Sequence, residues 1–208
     1  MSIDSTNLKE KIFKSSIDIV IFDGWSDKTL FEAALINGIS SADARKMFPR
    51  GAIDLVKYYH EFEDKIFLEQ FREIDFNNLS HSKKIELALK KRFEIIVENK
   101  EAFKRSMALF ALPFNQIEGI NLVFSTCDKI WVEIGDRSVG FDWYTKRIIL
   151  ASIYFTSLLF LFGDNSTNNK ETYRFISSRL DDLKNFGKLK KNYPNVFDFF
   201  DFNKFKNS

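Results

Sequence analysis

Apolar positions recur at helical spacing along nearly the whole chain. Leu8, Ile12, Ile19 and Val20 mark a first helix over residues 8–22. Asp23-Gly24-Trp25 breaks it. Ser26 follows, placed to accept an orphan backbone N–H at the start of a second helix striped by Leu30, Phe31, Ala34 and Leu35. Gly38 offers the positive φ that a helix C-terminus favours. Ser40 or Ser41 then caps a short helix through Lys46, which Met47-Phe48-Pro49-Arg50-Gly51 closes. Helix, glycine turn and short helix together make the string of a helix-turn-helix.

Longer stripes follow. Leu55, Tyr58, Tyr59, Phe62, Ile66 and Phe71 predict a helix over 52–76, and further helices are predicted over 81–98, 100–112 and 115–134. After a loop at 135–140, Asp142 is expected to cap a helix over 143–162, and a polar loop leads to a last helix over 170–186. The reading is all-α: a three-helix, helix-turn-helix-like module over 1–50, a larger helical domain over 51–187, and a tail over 188–208. Residues 148–162 carry no charge, yet are shorter than the about 20 residues a membrane span requires. They read as a core helix, or as one that also supplies a subunit interface.

Composition sharpens this picture. Among 208 residues there are 3 Pro and 8 Gly, too few for the many tight turns of a sandwich or barrel. The 24 Phe supply aromatic stock for a lipophilic interior or a membrane-facing surface. One Cys and 2 His exclude a disulfide framework and a zinc cluster. Net charge is +2, but six lysines against two aspartates from Lys184 onward leave that end at +4. The first ten residues lack a basic segment followed by an apolar one, so no signal peptide is expected, nor a mitochondrial leader.

The chemistry-bearing motifs for phosphate, dinucleotide, acyl transfer and zinc proteolysis do not occur. A di-iron centre needs Glu-x-x-His, but Lys57 precedes His60 and Asn78 precedes His81 at that spacing. Cys127 reads as a small core hydrophobe, and Glu61, Glu63, Asp64, Glu69 and Glu73 as a solvated helix face. No catalytic residue, metal site or cofactor is expected. The short helix offers Arg45 and Lys46 to DNA, but also Asp43, which phosphates repel. It reads as the structural remnant of such a module, with a DNA reader the alternative, and no nucleic-acid partner is expected. Trp143 and Tyr144, with Arg147 one turn on, have the composition of an interface hot spot; Trp143 reads equally as a plug over the helix end.

Three stretches resemble the Coq-nine family, the lipid-binding accessory proteins of ubiquinone biosynthesis. One is Phe22-Asp23-Gly24-Trp25-Ser26, continued by 37–42 and Met47-Phe48-Pro49. Another is Ala108-Leu109-Phe110-Ala111-Leu112-Pro113-Phe114-Asn115. The most specific joins Asp128, Trp131, Gly135, Asp136 and Ser138 to Phe141-Asp142-Trp143-Tyr144-Thr145-Lys146-Arg147, then Ala151, Ile153 and Tyr154. The resemblance covers residues 8–187. It implies a TetR-regulator-like fold, a homodimer paired through the last two main helices, and an apolar cavity for isoprenoid or quinone lipids. It also implies a non-enzyme that assists a di-iron demethoxyubiquinone hydroxylase. That partner's patch maps onto Asp128, Ile130, Trp131, Trp143, Tyr144 and Arg147.

Tyr59, Phe62, Phe93, Ile96, Met107, Phe110, Leu122, Ile149 and Ile153, on the long helices, are nominated for the lipid cavity. A bacterial cytoplasmic protein is expected, weakly peripheral on the inner membrane through its Lys- and Phe-rich tail, which Pro194 interrupts. The competing reading is a TetR-type transcription regulator with an apolar small-molecule pocket.

Overall fold

The computed structural model describes residues 2–76 and 78–192. Among them the chain is helix and turn, with no strand. The helices are α1 (Ser2–Asp23), α2 (Asp27–Ile36), α3 (Ser41–Met47), α4 (Ala52–Arg72), α5 (His81–Glu98), α6 (Lys100–Phe110), α7 (Gln116–Glu133), α8 (Gly140–Gly163) and α9 (Lys170–Asn192). Contacts divide the chain into two compact units, residues 1–155 and 156–208, and the division falls within α8. Of the tail expected over 188–208 to dock on membranes, residues 188–192 belong to α9, and 193–208 lie outside the described residues.

In the first unit α1 packs on α2, α4 and α6, while α4 packs on α5 and α7. Ser26 caps α2 through Thr29 N, and Ser40, not Ser41, caps α3 through Asp43 N. Trp25 is buried, donates from Nε1 to Ala102 O at 2.9 Å, and stacks on Tyr59 at 5.2 Å. One indole therefore ties the first helices to α4 and α6.

Gly51 opens α4 at φ +62°, and a Cβ there would lie 1.9 Å from Asp27 Oδ1, so only glycine fits. That carboxylate accepts from Ala52 N at 2.9 Å and from Arg45 at 2.6 Å. The turn joining α3 to α4 is thus organised by a residue of α2.

Two boundaries depart from the pattern of the sequence. α4 ends at Arg72, short of Phe76. The chain turns, with Asn78 at φ +63°, and Phe76 folds back to lie 4.7 Å from the Phe71 ring. α8 begins at Gly140, so Asp142 sits inside its first turn and favours the helix dipole without capping it. At 24 residues α8 is long and apolar enough by length and composition to cross a membrane. Core helices meet the same test.

In the second unit Asp164 organises the turn into α9. Its carboxylate accepts from Ser166 N at 2.8 Å, Thr172 N at 2.9 Å and Thr172 Oγ1 at 2.6 Å. Phe160 and Phe175 stack at 4.7 Å. α9 runs on past residue 186 to Asn192.

Candidate functional site: a guanidinium knot and a closed pocket

The end of α7, the loop after it and the first turns of α8 build a surface knot around Arg147. Its Nε donates to Asp128 at 2.6 Å, and its Nη1 donates to Asp136 at 3.1 Å and to Trp143 O at 3.2 Å. Asp136 also accepts from Lys146 at 2.7 Å and from Ser138 at 2.5 Å. Burial opposes ionisation of Asp136, but the Lys146 ammonium, the Ser138 hydroxyl and the Arg147 guanidinium outweigh it. Its carboxyl therefore sits well below the usual carboxylate range.

The guanidinium carbon lies 4.2 Å from the Trp143 ring centroid. Trp143 is half-buried, packs at 5.7 Å from Phe124, and meets Tyr144 edge-on at 4.7 Å. Trp131 donates to Lys146 O at 3.2 Å, with the Lys146 ammonium over its ring. Tyr144 is 58% exposed.

Five of the six residues nominated for a partner patch come together here: Asp128, Trp131, Trp143, Tyr144 and Arg147. Ile130 does not, for it is fully buried. Two residues beyond Asp128 on a helix, it points about 200° away from that carboxylate. Arg147 is also corrected. Its spacing from Trp143 suggested an exposed cation, but it is 2% exposed, drawn inward by Asp128 and Asp136. It holds the Trp143 ring, which in turn meets Tyr144, without itself offering a surface.

A second site lies between α6 and α7. His60, Phe103, Met107, Phe110, Gly119, Leu122, Val123, Thr126 and Tyr154 line a small pocket. The space open to the centre of a water-sized sphere is about 10 Å³, room for about one water. Gly119 permits this closeness, because a Cβ there would stand 2.7 Å from the Phe110 Cβ.

Of the side chains nominated for a lipid cavity, Met107, Phe110 and Leu122 line this pocket. The rest lie elsewhere. Tyr59, Phe93, Ile96 and Ile153 are buried core, Phe62 packs on Phe13 at 4.9 Å, and Ile149 is exposed. Apolar periodicity selects a buried face and does not say what the face packs against. Gly119, Leu122, Val123 and Thr126 follow one α7 face from the glycine onward, and that spacing is the signal by which the lining was findable.

Beneath the pocket runs a buried polar network. Arg92, fully buried, donates to Asp64 and Glu63 at 3.0 Å each. Asp64 also accepts from Thr126 at 2.9 Å and from Lys129 at 2.8 Å. This corrects the acidic run: Glu63 and Asp64 are buried, because Arg92 meets them from α5. Ser106 donates to Phe103 O, so the 2.9 Å contact with His60 is a donation from His60 Nε2. Burial, with the Arg92 charge nearby, pushes the imidazole down to about 3 and keeps it neutral. Tyr59 lies against Glu63, and Arg92 Nη2 is buried without a hydrogen-bond partner. Cys127 is buried and its thiol is pushed up by desolvation. Among the described residues, no group of three His, Cys, Asp or Glu side chains comes together to hold a metal.

Comparisons with known proteins bear on both sites. The COQ9 family model matches residues 117–187, which include both α7 and the knot. "Ubiquinone biosynthesis protein COQ9, mitochondrial" of Bos taurus is 28% identical over 193 residues, 88% of this chain and 60% of that protein. The Homo sapiens protein of the same name is 27% identical, with 88% and 60% covered. "Probable ubiquinone biosynthesis protein coq9, mitochondrial" of Dictyostelium discoideum is 29% identical, with 85% and 59% covered. The chain thus spans about 60% of the length of these relatives. Their names overturn the expected bacterial cytoplasmic location. A chain matching only part of its relatives says nothing through its first residues about a leader. Among solved structures, the TetR transcriptional regulator from Nitrosomonas europaea ATCC 19718 matches with a TM-score of 0.68 at 16% identity, covering 84% of this chain and 97% of that one. The chain is thus similar to the COQ9 proteins over 85–88% of its length and shares the fold of a TetR regulator.

Proposed function

We propose that this chain is a non-catalytic, lipid-binding accessory protein of ubiquinone biosynthesis that takes up isoprenoid or quinone intermediates and presents them to the demethoxyubiquinone hydroxylase. The observation that carries this reading is its likeness, over 85–88% of its length, to proteins named for ubiquinone biosynthesis. The pocket supports it with an apolar wall and a few polar groups, His60, Thr126 and Tyr154, at one side. In the closed state the pocket is far below the roughly 300 Å³ of an ordinary ligand site. A polyprenyl chain therefore enters only when α6 and α7 part. The Trp143–Tyr144 platform is the surface offered to the hydroxylase, with Asp128 and Trp131 beside it. α8 leaves Ile148 and Phe155 exposed along one face, and a second copy of the chain covers them.

The TetR-type fold favours one other reading, a transcription regulator. The two cations of α3 are already committed: Arg45 to Asp27 at 2.6 Å and Lys46 to Asp43 at 2.8 Å. A DNA reader needs those charges for phosphates. Organic extraction and mass spectrometry of the purified chain, followed by loading with a long-chain quinone, tests the first reading. Recovery or uptake of a quinone or isoprenoid is expected. Neither recovery nor uptake, together with salt-sensitive binding to a specific duplex, establishes the regulator instead.

A further inference from the structure

The turn between α6 and α7 is exposed and apolar. Phe114 is 99% exposed, and Leu112, Ile117 and Ile120 are also open to solvent. Scattered apolar side chains need no explanation, but a contiguous group at a tip does.

The charge pattern says what the tip suits. From Ser106 to Cys127 the only charged residue is Glu118. That carboxylate is matched by Arg50 at 3.1 Å and Lys57 at 3.8 Å. A protein partner would ordinarily be met by a rim of unmatched polar and charged groups; this hairpin end carries almost none. Its polar side chains are spent locally: Asn115 Nδ2 donates to Leu109 O at 3.1 Å, and Gln116 Nε2 donates to Ala111 O at 3.3 Å. Hydrocarbon penalises charge, and the tip brings little of it.

The tip is also continuous with the pocket. Phe110 and Gly119, which meet at the pocket wall, are the residues from which the exposed turn springs.

We propose that the α6–α7 tip, led by Phe114 and Ile117, is a membrane-docking element that inserts shallowly into a lipid bilayer and places the pocket mouth against it. The inference rests on the lipid-binding reading for its purpose, though not for its geometry. Docking here is driven by apolar burial, so it is insensitive to lipid charge and to salt, unlike docking by a basic tail.

The test is sedimentation of the full chain with neutral phosphatidylcholine vesicles at about 0.5 M salt, where the Debye length is only a few ångströms. The parent is expected to bind, and Phe114→Glu/Ile117→Glu to bind at least about tenfold more weakly with unchanged melting, since both side chains are exposed. Phe114→Trp gives an independent readout: vesicles of brominated phosphatidylcholine should quench the added indole. Failure of the parent to bind neutral vesicles overturns the proposal. Equal binding by parent and double variant does the same, as does a change in oligomeric state with vesicle binding retained, which makes the tip a contact between copies. Quinone delivered in detergent micelles separates the two readings. Uptake by the double variant while vesicle binding is lost supports docking and leaves lipid binding standing. No quinone uptake by a parent that binds vesicles through the tip supports docking and removes the lipid-binding reading.

Discussion

Arg92 and Arg147 are both buried arginines, each bonded to two carboxylates, yet they do different work. Arg92 lies wholly inside the first unit, where Glu63 and Asp64 meet it while its Nη2 goes without a partner. Arg147 lies under the surface, and Asp128, Asp136 and the Trp143 carbonyl take its donors. The first arrangement carries a cost: buried ions lose hydration that imperfect pairing does not fully return. The second pairs with the buried Asp136 and with Asp128, which is 38% exposed, and it holds an indole in place. A wholly buried ion network with an unpaired donor fits a region that must rearrange, whereas a guanidinium locked under an indole fits a surface that must keep its shape.

Variants of the two arginines break this comparison most directly. Arg92→Met leaves two buried carboxylates without their shared cation. A loss of about 3–5 kcal/mol of stability is expected from urea unfolding. A loss below about 1 kcal/mol would show that Lys129 and Thr126 suffice to hold Asp64.

Arg147→Ala is expected to cost less, about 2 kcal/mol, because Asp136 keeps Lys146 and Ser138 and because Asp128 is 38% exposed. Its larger effect, on the proposed function, is on binding. Trp143 loses the guanidinium beneath it, so affinity for the proposed hydroxylase partner, read by calorimetry on folded protein, is expected to fall while Arg92→Met leaves it unchanged. The reverse ordering would make the interior network the functional one.

The smallest effect sharpens the comparison through pH. His60 is held neutral, with its folded pKa at about 3 and its unfolded value near 6.5. Between those values the unfolded chain binds the extra proton. This contribution is therefore complete above about pH 6.5 and is lost as pH falls, at up to about 1.4 kcal/mol per unit. His60→Gln, which keeps a donor for Ser106, should flatten urea midpoints between pH 6.5 and 5. An unchanged slope would assign the loss to other groups.

What the sequence made legible was whatever neighbours along the chain decide. α5 begins and ends where its stripe does, and Ser26 and Ser40 cap as their residue type suggests. What it hid depends on groups distant in sequence. α4 stops early where Phe76 doubles back, Ile130 turns inward, and Glu63 and Asp64 vanish into the core because α5 brings Arg92. The COQ9-like segment around Trp143 was recognisable as a string, but the burial of Arg147 required Asp128 and Asp136 from other elements. The pocket lining was missed for a similar reason. Its decisive residue, Gly119, has no side chain to enter a pattern and acts only through Phe110.

Cys127 adds a practical consequence. It follows Thr126 of the pocket wall on α7, has no exposed surface, and is the chain's only cysteine. A buried, protonated thiol is invisible to alkylating reagents. It becomes visible only while α7 is lifted from its neighbours. The labelling rate of the untouched protein is thus a clock on that opening. At low reagent it reports the population of the open state, and at high reagent the frequency with which that state is visited. Bound lipid would slow or hasten the same clock according to which state it prefers.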